Sequence, residues 1–113
     1  MVALSDPTAH AEVLAIRDAC GKLRDFSLTG ATIYASSEPC PMCLAAIYWA
    51  RVESIVFASH RGAAARAGFD DGVFYDELAR EPSERAVPMR QFELPEGLAL
   101  FDEWIAKKDK VPY

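Results

Sequence analysis

Four side chains in two short stretches carry most of the chemistry in this sequence. They are His10 and Glu12 of His10-Ala11-Glu12, and Cys40 and Cys43 of Pro39-Cys40-Pro41-Met42-Cys43. Imidazole and thiolate are good ligands for zinc, which favours four tetrahedral positions. His10, Cys40 and Cys43 supply three of them. A fourth position left to water is the mark of a catalytic rather than a structural zinc. Glu12, two residues past His10, is close enough to move protons without being needed as a ligand. Iron is a weaker match to the same ligand set.

Duller accounts cover parts of this pattern. A C-x-x-C at a helix start after a strand also serves as a redox dithiol, but that leaves His10-Ala11-Glu12 unexplained. A structural zinc needs a fourth protein ligand, and Cys20 and His60 are the nominees. Cys20 falls on the apolar stripe of its helix, about three turns from His10, where it reads as a small buried hydrophobe. His60 follows a strand end and reads as a loop residue. Glu12 on its own would be a first-turn carboxylate facing a helix dipole. Beside a zinc ligand, proton transfer explains it better. Tyr48-Trp49 reads as core or subunit interface.

These residues need elements to hold them. Asp6-Pro7-Thr8 is a helix-entry stretch of capping residues. Val13, Ile16, Cys20 and Leu23 then share one face of a helix from about His10 to Cys20, with Gly21 a stop. Ala31 to Ala35 reads as a strand and Ser36-Ser37-Glu38 as the loop leaving it. A helix from about Pro41 to Arg51 follows, with Cys40 and Cys43 on one side of its N-terminus. The unpaired N–H groups there favour thiolate. Ser54 to Ser59 is a second strand, expected to be buried because its middle is continuously apolar. Strand, helix and strand in this order imply a parallel βαβ unit with a right-handed crossover. Residues 62–72 read as a loop with a short helical piece, Val73 to Arg80 as one or two helical turns, and 81–87 as a loop. Met89 to Leu94 is expected as a third strand. A last helix from about Glu96 to Lys107 carries Leu98, Phe101 and Ile105 on one face, flanked by Trp104.

At 113 residues, 51% of them apolar and 26% charged, the chain is expected to be a single domain over residues 1–113 with a modest core. A net charge of −5 argues against a polyphosphate partner and suits a small neutral substrate. The longest apolar run, Met42 to Ala50, is far short of a membrane span. The first residues lack the basic and apolar regions of a signal peptide. Three cysteines make no disulfide framework, so a reducing, cytoplasmic location is expected.

The pattern H-x-E followed by P-C-x-x-C is that of the zinc deaminases, and the chain resembles the cytidine deaminase superfamily. Within it the chain is most similar to bacterial guanine deaminases. Asp6 to Glu12, Ser37 to Cys43, Ala46 to Arg51 and Ala67 to Asp71 carry the likeness, the Tyr-Trp-Ala-Arg and Gly-Phe-Asp-Asp stretches pointing to the guanine branch. The resemblance implies an α/β fold, a three-layer α/β/α sandwich with the zinc where two helix N-termini meet at the sheet. It implies a homodimer whose C-terminal segment, about residues 95–113, exchanges between subunits. Asp71, with Asp70 as second candidate, would contact the base or assist proton transfer, and Tyr113 would reach a neighbour's site. Family members carry a helix and a β-hairpin ahead of His-x-Glu. Here nine residues precede His10, and the shortened sheet is expected to expose an edge and apolar surface.

The activity so implied is hydrolytic deamination of guanine to xanthine and ammonia. Zinc lowers the pKa of a coordinated water to supply hydroxide, and Glu12 shuttles the proton to a ring nitrogen and then to the leaving amine. Two alternatives stand beside it. One is deamination of adenine or cytosine in another molecule, including tRNA; the other is an inactive, zinc-stabilised oligomerisation domain.

Overall fold

A computed structural model describes residues 2–113; Met1, where the signal-peptide reading begins, lies outside them. The chain divides into two compact units, Met1–Ala79 and Arg80–Tyr113.

The first unit is α/β. After a 3-10 turn at Val2–Leu4 come α1 (Ala11–Leu23), β1 (Thr32–Ser37), α2 (Pro41–Trp49), β2 (Ser54–Ser59), α3 (Arg61–Arg66) and α4 (Gly72–Ala79). β1 and β2 are parallel, in register from Thr32 opposite Ser54 to Ser37 opposite Ser59. The βαβ expectation is therefore met as to order and direction. Hydroxyls of Thr32 and Ser54, 2.7 Å apart, close one end of the ladder. The Glu38 N–H donates to the Ser59 carbonyl at 2.7 Å at the other end, where the chain turns into the metal loop. α2 is the centre of burial: Cys43, Ile47 and Ala50 lie one helical turn apart on one face and are almost fully inaccessible, as are Ala9 and Leu28.

Several boundaries move for local reasons. α1 runs through Gly21 and stops at Arg24, whose φ of 52° is left-handed. Glycine permits a stop without requiring one, and the Lys22–Asp18 ion pair at 3.0 Å spans the last turn beyond it. Asp6 caps a turn rather than the helix: its carboxylate accepts from the Thr8 N–H at 2.8 Å and from the Thr8 hydroxyl at 2.6 Å. The hydroxyl contact, then the backbone one, holds the Asp6 carboxyl below its usual range.

The expectation of a buried second strand fails. Only Ile55 of β2 is half-buried, and Val56 and Phe57 are exposed. Among the described residues the sheet has two strands, so β2 is covered along one edge only.

The second unit holds a 3-10 turn at Pro82–Glu84 and α5 (Pro95–Ala106). The expected strand over Met89 to Leu94 is absent, and the segment has no regular structure. Its apolar side chains suit a strand, but a strand is held by its ladder and no partner strand pairs with this one. α5 forms as its periodicity predicts, yet its apolar face is open: Leu98, Phe101 and Ile105 are about 70% exposed (73%, 69% and 67%).

Candidate metal centre and its surroundings

Two of the three expected ligands are helix N-caps. His10 is the N-cap of α1, with extended backbone (ψ 153°), and Cys40 is the N-cap of α2 (ψ 168°). A residue at this position is not yet wound into the helix, so its side chain projects beyond the helix end. The turn over residues 6–10 delivers His10: the Ala9 N–H donates to the Asp6 carbonyl at 3.1 Å and the His10 N–H to that of Thr8 at 2.8 Å. Pro41 opens α2, where a missing N–H costs nothing. Cys43, in the first turn, turns its sulfur inward and is fully buried.

The donor atoms converge. His10 Nδ1 lies 3.5 Å from Cys40 Sγ and 3.4 Å from Cys43 Sγ. All three donor atoms fall within 4.8 Å of one another. Zinc bonds of about 2.3 Å to sulfur and 2.0 Å to nitrogen, at tetrahedral angles, place S and N about 3.5 Å apart. The set therefore fits a zinc ion. The Cys43 N–H donates to Cys40 Sγ at 3.5 Å, so the Cys40 side chain also caps the first turn of α2. Burial pushes the Cys43 thiol up, and a hydrogen bond with the Glu12 carboxylate adds to the shift. Without a cation, Cys43 is thus a protonated thiol with Glu12 beside it, and metal must displace that proton. Glu12 itself is half-buried in the first turn of α1.

The nominees for a fourth ligand stay out of the cluster. Cys20 is a free, half-buried thiol on α1. His60 is the N-cap of α3, its Nδ1 accepting from the Gly62 N–H at 2.9 Å.

Asp70 and Asp71 separate in role. Asp70 Oδ1 accepts from the Gly72 N–H at 2.9 Å and is used in starting α4. Asp71 is half-buried, and its Oδ1 is buried without a hydrogen-bond partner among the described residues. A buried acceptor in that condition is costly unless a ligand supplies the donor. Tyr113 is exposed and belongs to the second unit.

Sequence reasoning missed a group beside the metal loop. The Tyr75 hydroxyl donates to the carbonyl of buried Pro39 at 2.8 Å. The Arg61 guanidinium sits 4.2 Å over the Tyr75 ring, and the Arg61 N–H donates to Glu38 Oε1 at 3.2 Å. Burial raises the Tyr75 pKa, against the opposing pull of Arg61. The one signal in the sequence is the four-residue spacing of Asp71 and Tyr75, which puts them one helical turn apart.

With this geometry in place, the comparisons with known proteins are specific. Residues 1–59 match the family described as the cytidine and deoxycytidylate deaminase zinc-binding region. The chain belongs to that family. This deaminase is 47% identical over 109 residues to a guanine deaminase of Bacillus subtilis, spanning 96% of the chain and 70% of the relative. It superposes on the X-ray structure of guanine deaminase from Bacillus subtilis with a TM-score of 0.94, at 46% identity over 98% of this chain and 71% of the other. The fold is thus cytidine deaminase-like. A tRNA-specific adenosine deaminase of Bacillus subtilis is 34% identical over 90% of the chain and 63% of its own length. Among the described residues no helix is long and apolar enough to cross a membrane.

Proposed function

We propose that the protein is a zinc-dependent guanine deaminase, converting guanine and water to xanthine and ammonia. The observation that carries this reading is the convergence of His10, Cys40 and Cys43 at the spacing of zinc ligands, with Glu12 half-buried two residues past His10 and its carboxylate near enough to raise the Cys43 thiol. The choice of base is supported by the 47% identity to a guanine deaminase.

His10, Cys40 and Cys43 hold the metal. Zinc, when bound, lowers the pKa of water and makes a nucleophile available at neutral pH. Glu12 is the proton carrier. It accepts one proton from the attacking water and passes it to the ring nitrogen beside C2. It then takes the second proton from the hydroxyl now on C2 and delivers it to the amine, so that C2=O forms as the C2–N bond breaks and ammonia leaves. Asp71 receives an N–H of the base at its otherwise unpartnered Oδ1. Asp70, occupied by the start of α4, is the weaker candidate for substrate.

The working form in this proposal is a homodimer, one deaminase domain per chain. The segment of about residues 95–113 exchanges so that the open face of α5 is covered by a second copy and Tyr113 closes that copy's pocket. The exposed apolar face of α5 supports this. Free cysteines throughout support a reducing compartment, the cytoplasm.

A second reading, deamination of adenosine in tRNA, rests on the relative at 34% identity. The net charge of −5 weighs against it. Ammonia release from guanine by the zinc-loaded chain, with Glu12→Gln beside it, tests the first reading. Activity that disappears in the variant is expected. A folded, zinc-bound and inactive wild type would discard guanine. RNA binding that weakens with salt would then favour the second reading. A Glu12→Gln chain with every property unchanged would instead mark a zinc-stabilised oligomerisation domain.

A further inference from the structure

Tyr75 joins the two parts of the site that the proposed function requires to be in register. Its hydroxyl bonds the carbonyl of Pro39, and the next peptide nitrogen along the chain is that of the metal ligand Cys40. The Pro39 carbonyl and the Cys40 N–H belong to one planar trans unit, so a bond to the first fixes the direction of the second. Pro39 is buried, and its carbonyl would otherwise be costly to leave unmade. At its other end Tyr75 is part of α4. The Tyr75 and Phe74 N–H groups both donate to the Asp71 carbonyl, at 3.4 and 3.0 Å. Asp71, with its unpartnered buried oxygen, is therefore set by the same helical turn that carries the tyrosine. Arg61 stacks on the ring while its own backbone N–H is bonded to Glu38, so the tyrosine packs against a residue tied to the metal loop.

We propose that Tyr75 is a positioning residue that locks the start of α4, and hence Asp71, to the Pro39–Cys40 peptide, setting the substrate side of the site without holding the metal. This rests on the deaminase reading for its kinetic consequence but not for its structural one. Tyr75→Phe keeps the ring and its Arg61 stack and removes only the hydroxyl.

The test compares the zinc-loaded full chain with Tyr75→Phe, Asp71→Asn and the double variant. Zinc content is expected to be unchanged in Tyr75→Phe, while kcat/KM on guanine falls about tenfold. The double variant is expected to be no slower than Asp71→Asn alone, because the tyrosine acts through the aspartate. In the same samples the Cys40 amide resonance is expected to shift. Amide exchange in the first turn of α4 is expected to quicken about tenfold, with α1 unaffected. Losses that multiply in the double variant, loss of zinc, or an unmoved Cys40 resonance with unchanged exchange would each overturn the proposal. If the wild type releases no ammonia from guanine, the functional reading falls, and the resonance and exchange measurements still decide the role of Tyr75.

Discussion

The N-terminus of α2 and the face of α5 are opposite solutions to an apolar sequence. In α2, Cys43 and Ile47 are 0% and 2% exposed, and the packing that buries them also brings Cys43 against His10 and Cys40. In α5, residues of equal or greater hydrophobicity recur at helical spacing and remain open. The first helix finds its partners within the same unit. The second lies in a segment too short to build a core of its own. Among the described residues burial is concentrated around α2, and the apolar face of α5 is open.

The sharpest way to probe that contrast is to remove the metal. Chelation is expected to lower stability by several kcal/mol, a fraction of the roughly 10 kcal/mol or more available from a structural zinc set. Hydrogen exchange should show the loss at the N-termini of α1 and α2, with α5 unchanged; loss of protection spread evenly over both units would break the distinction. Glu12→Gln should then separate holding from reacting. We expect turnover to fall on the order of 10³-fold with zinc stoichiometry intact, read from ammonia release and metal analysis.

On the other side of the comparison, Phe101→Asp puts a charge on the open face of α5. If a second copy covers that face, association should weaken by about 2–3 kcal/mol, visible as a shift toward monomer in light scattering, with zinc content unaltered. An unaltered mass would leave α5 truly solvated and sink the exchange proposal. The burial that raises the Cys43 pKa gives a further, smaller effect. Since the metal-free thiol is protonated at neutral pH, zinc must expel that proton. Apparent affinity should therefore rise with pH, by about tenfold per unit for each proton released, as competition with a chelator would measure. The smallest effect concerns the α1 stop. Arg24→Gly relieves a left-handed backbone and should add up to about 1 kcal/mol to thermal stability.

The metal centre was legible because its residue types are scarce and their spacing is tied to element starts. His10 and Cys40 each precede a periodic apolar run, so the sequence places both at helix ends before any contact is known. The βαβ order was readable for the same reason: its punctuation is local. What could not be read was pairing. Met89 to Leu94 has the composition of a strand, and β2 that of a buried one, yet both properties depend on neighbours that composition does not name. Gly21 differs in another way: glycine allows a helix to end without requiring it, and α1 continues to Leu23. Tyr75 escaped notice because a single tyrosine in a short helix has no pattern; only the carbonyl opposite gives it meaning.

The two N-caps that carry ligands have one more consequence. His10 is 30 residues from Cys40 and 33 from Cys43. An ion bound to all three closes a loop of that length as a covalent bridge would, and such a closure removes roughly 3–4 kcal/mol of entropy from the unfolded chain. The site would then act as a reversible cross-link, opened by acid or chelators and, unlike a disulfide, not by reductants. Any variant that weakens a ligand would be felt first as a longer, looser unfolded chain and only second as a slower enzyme.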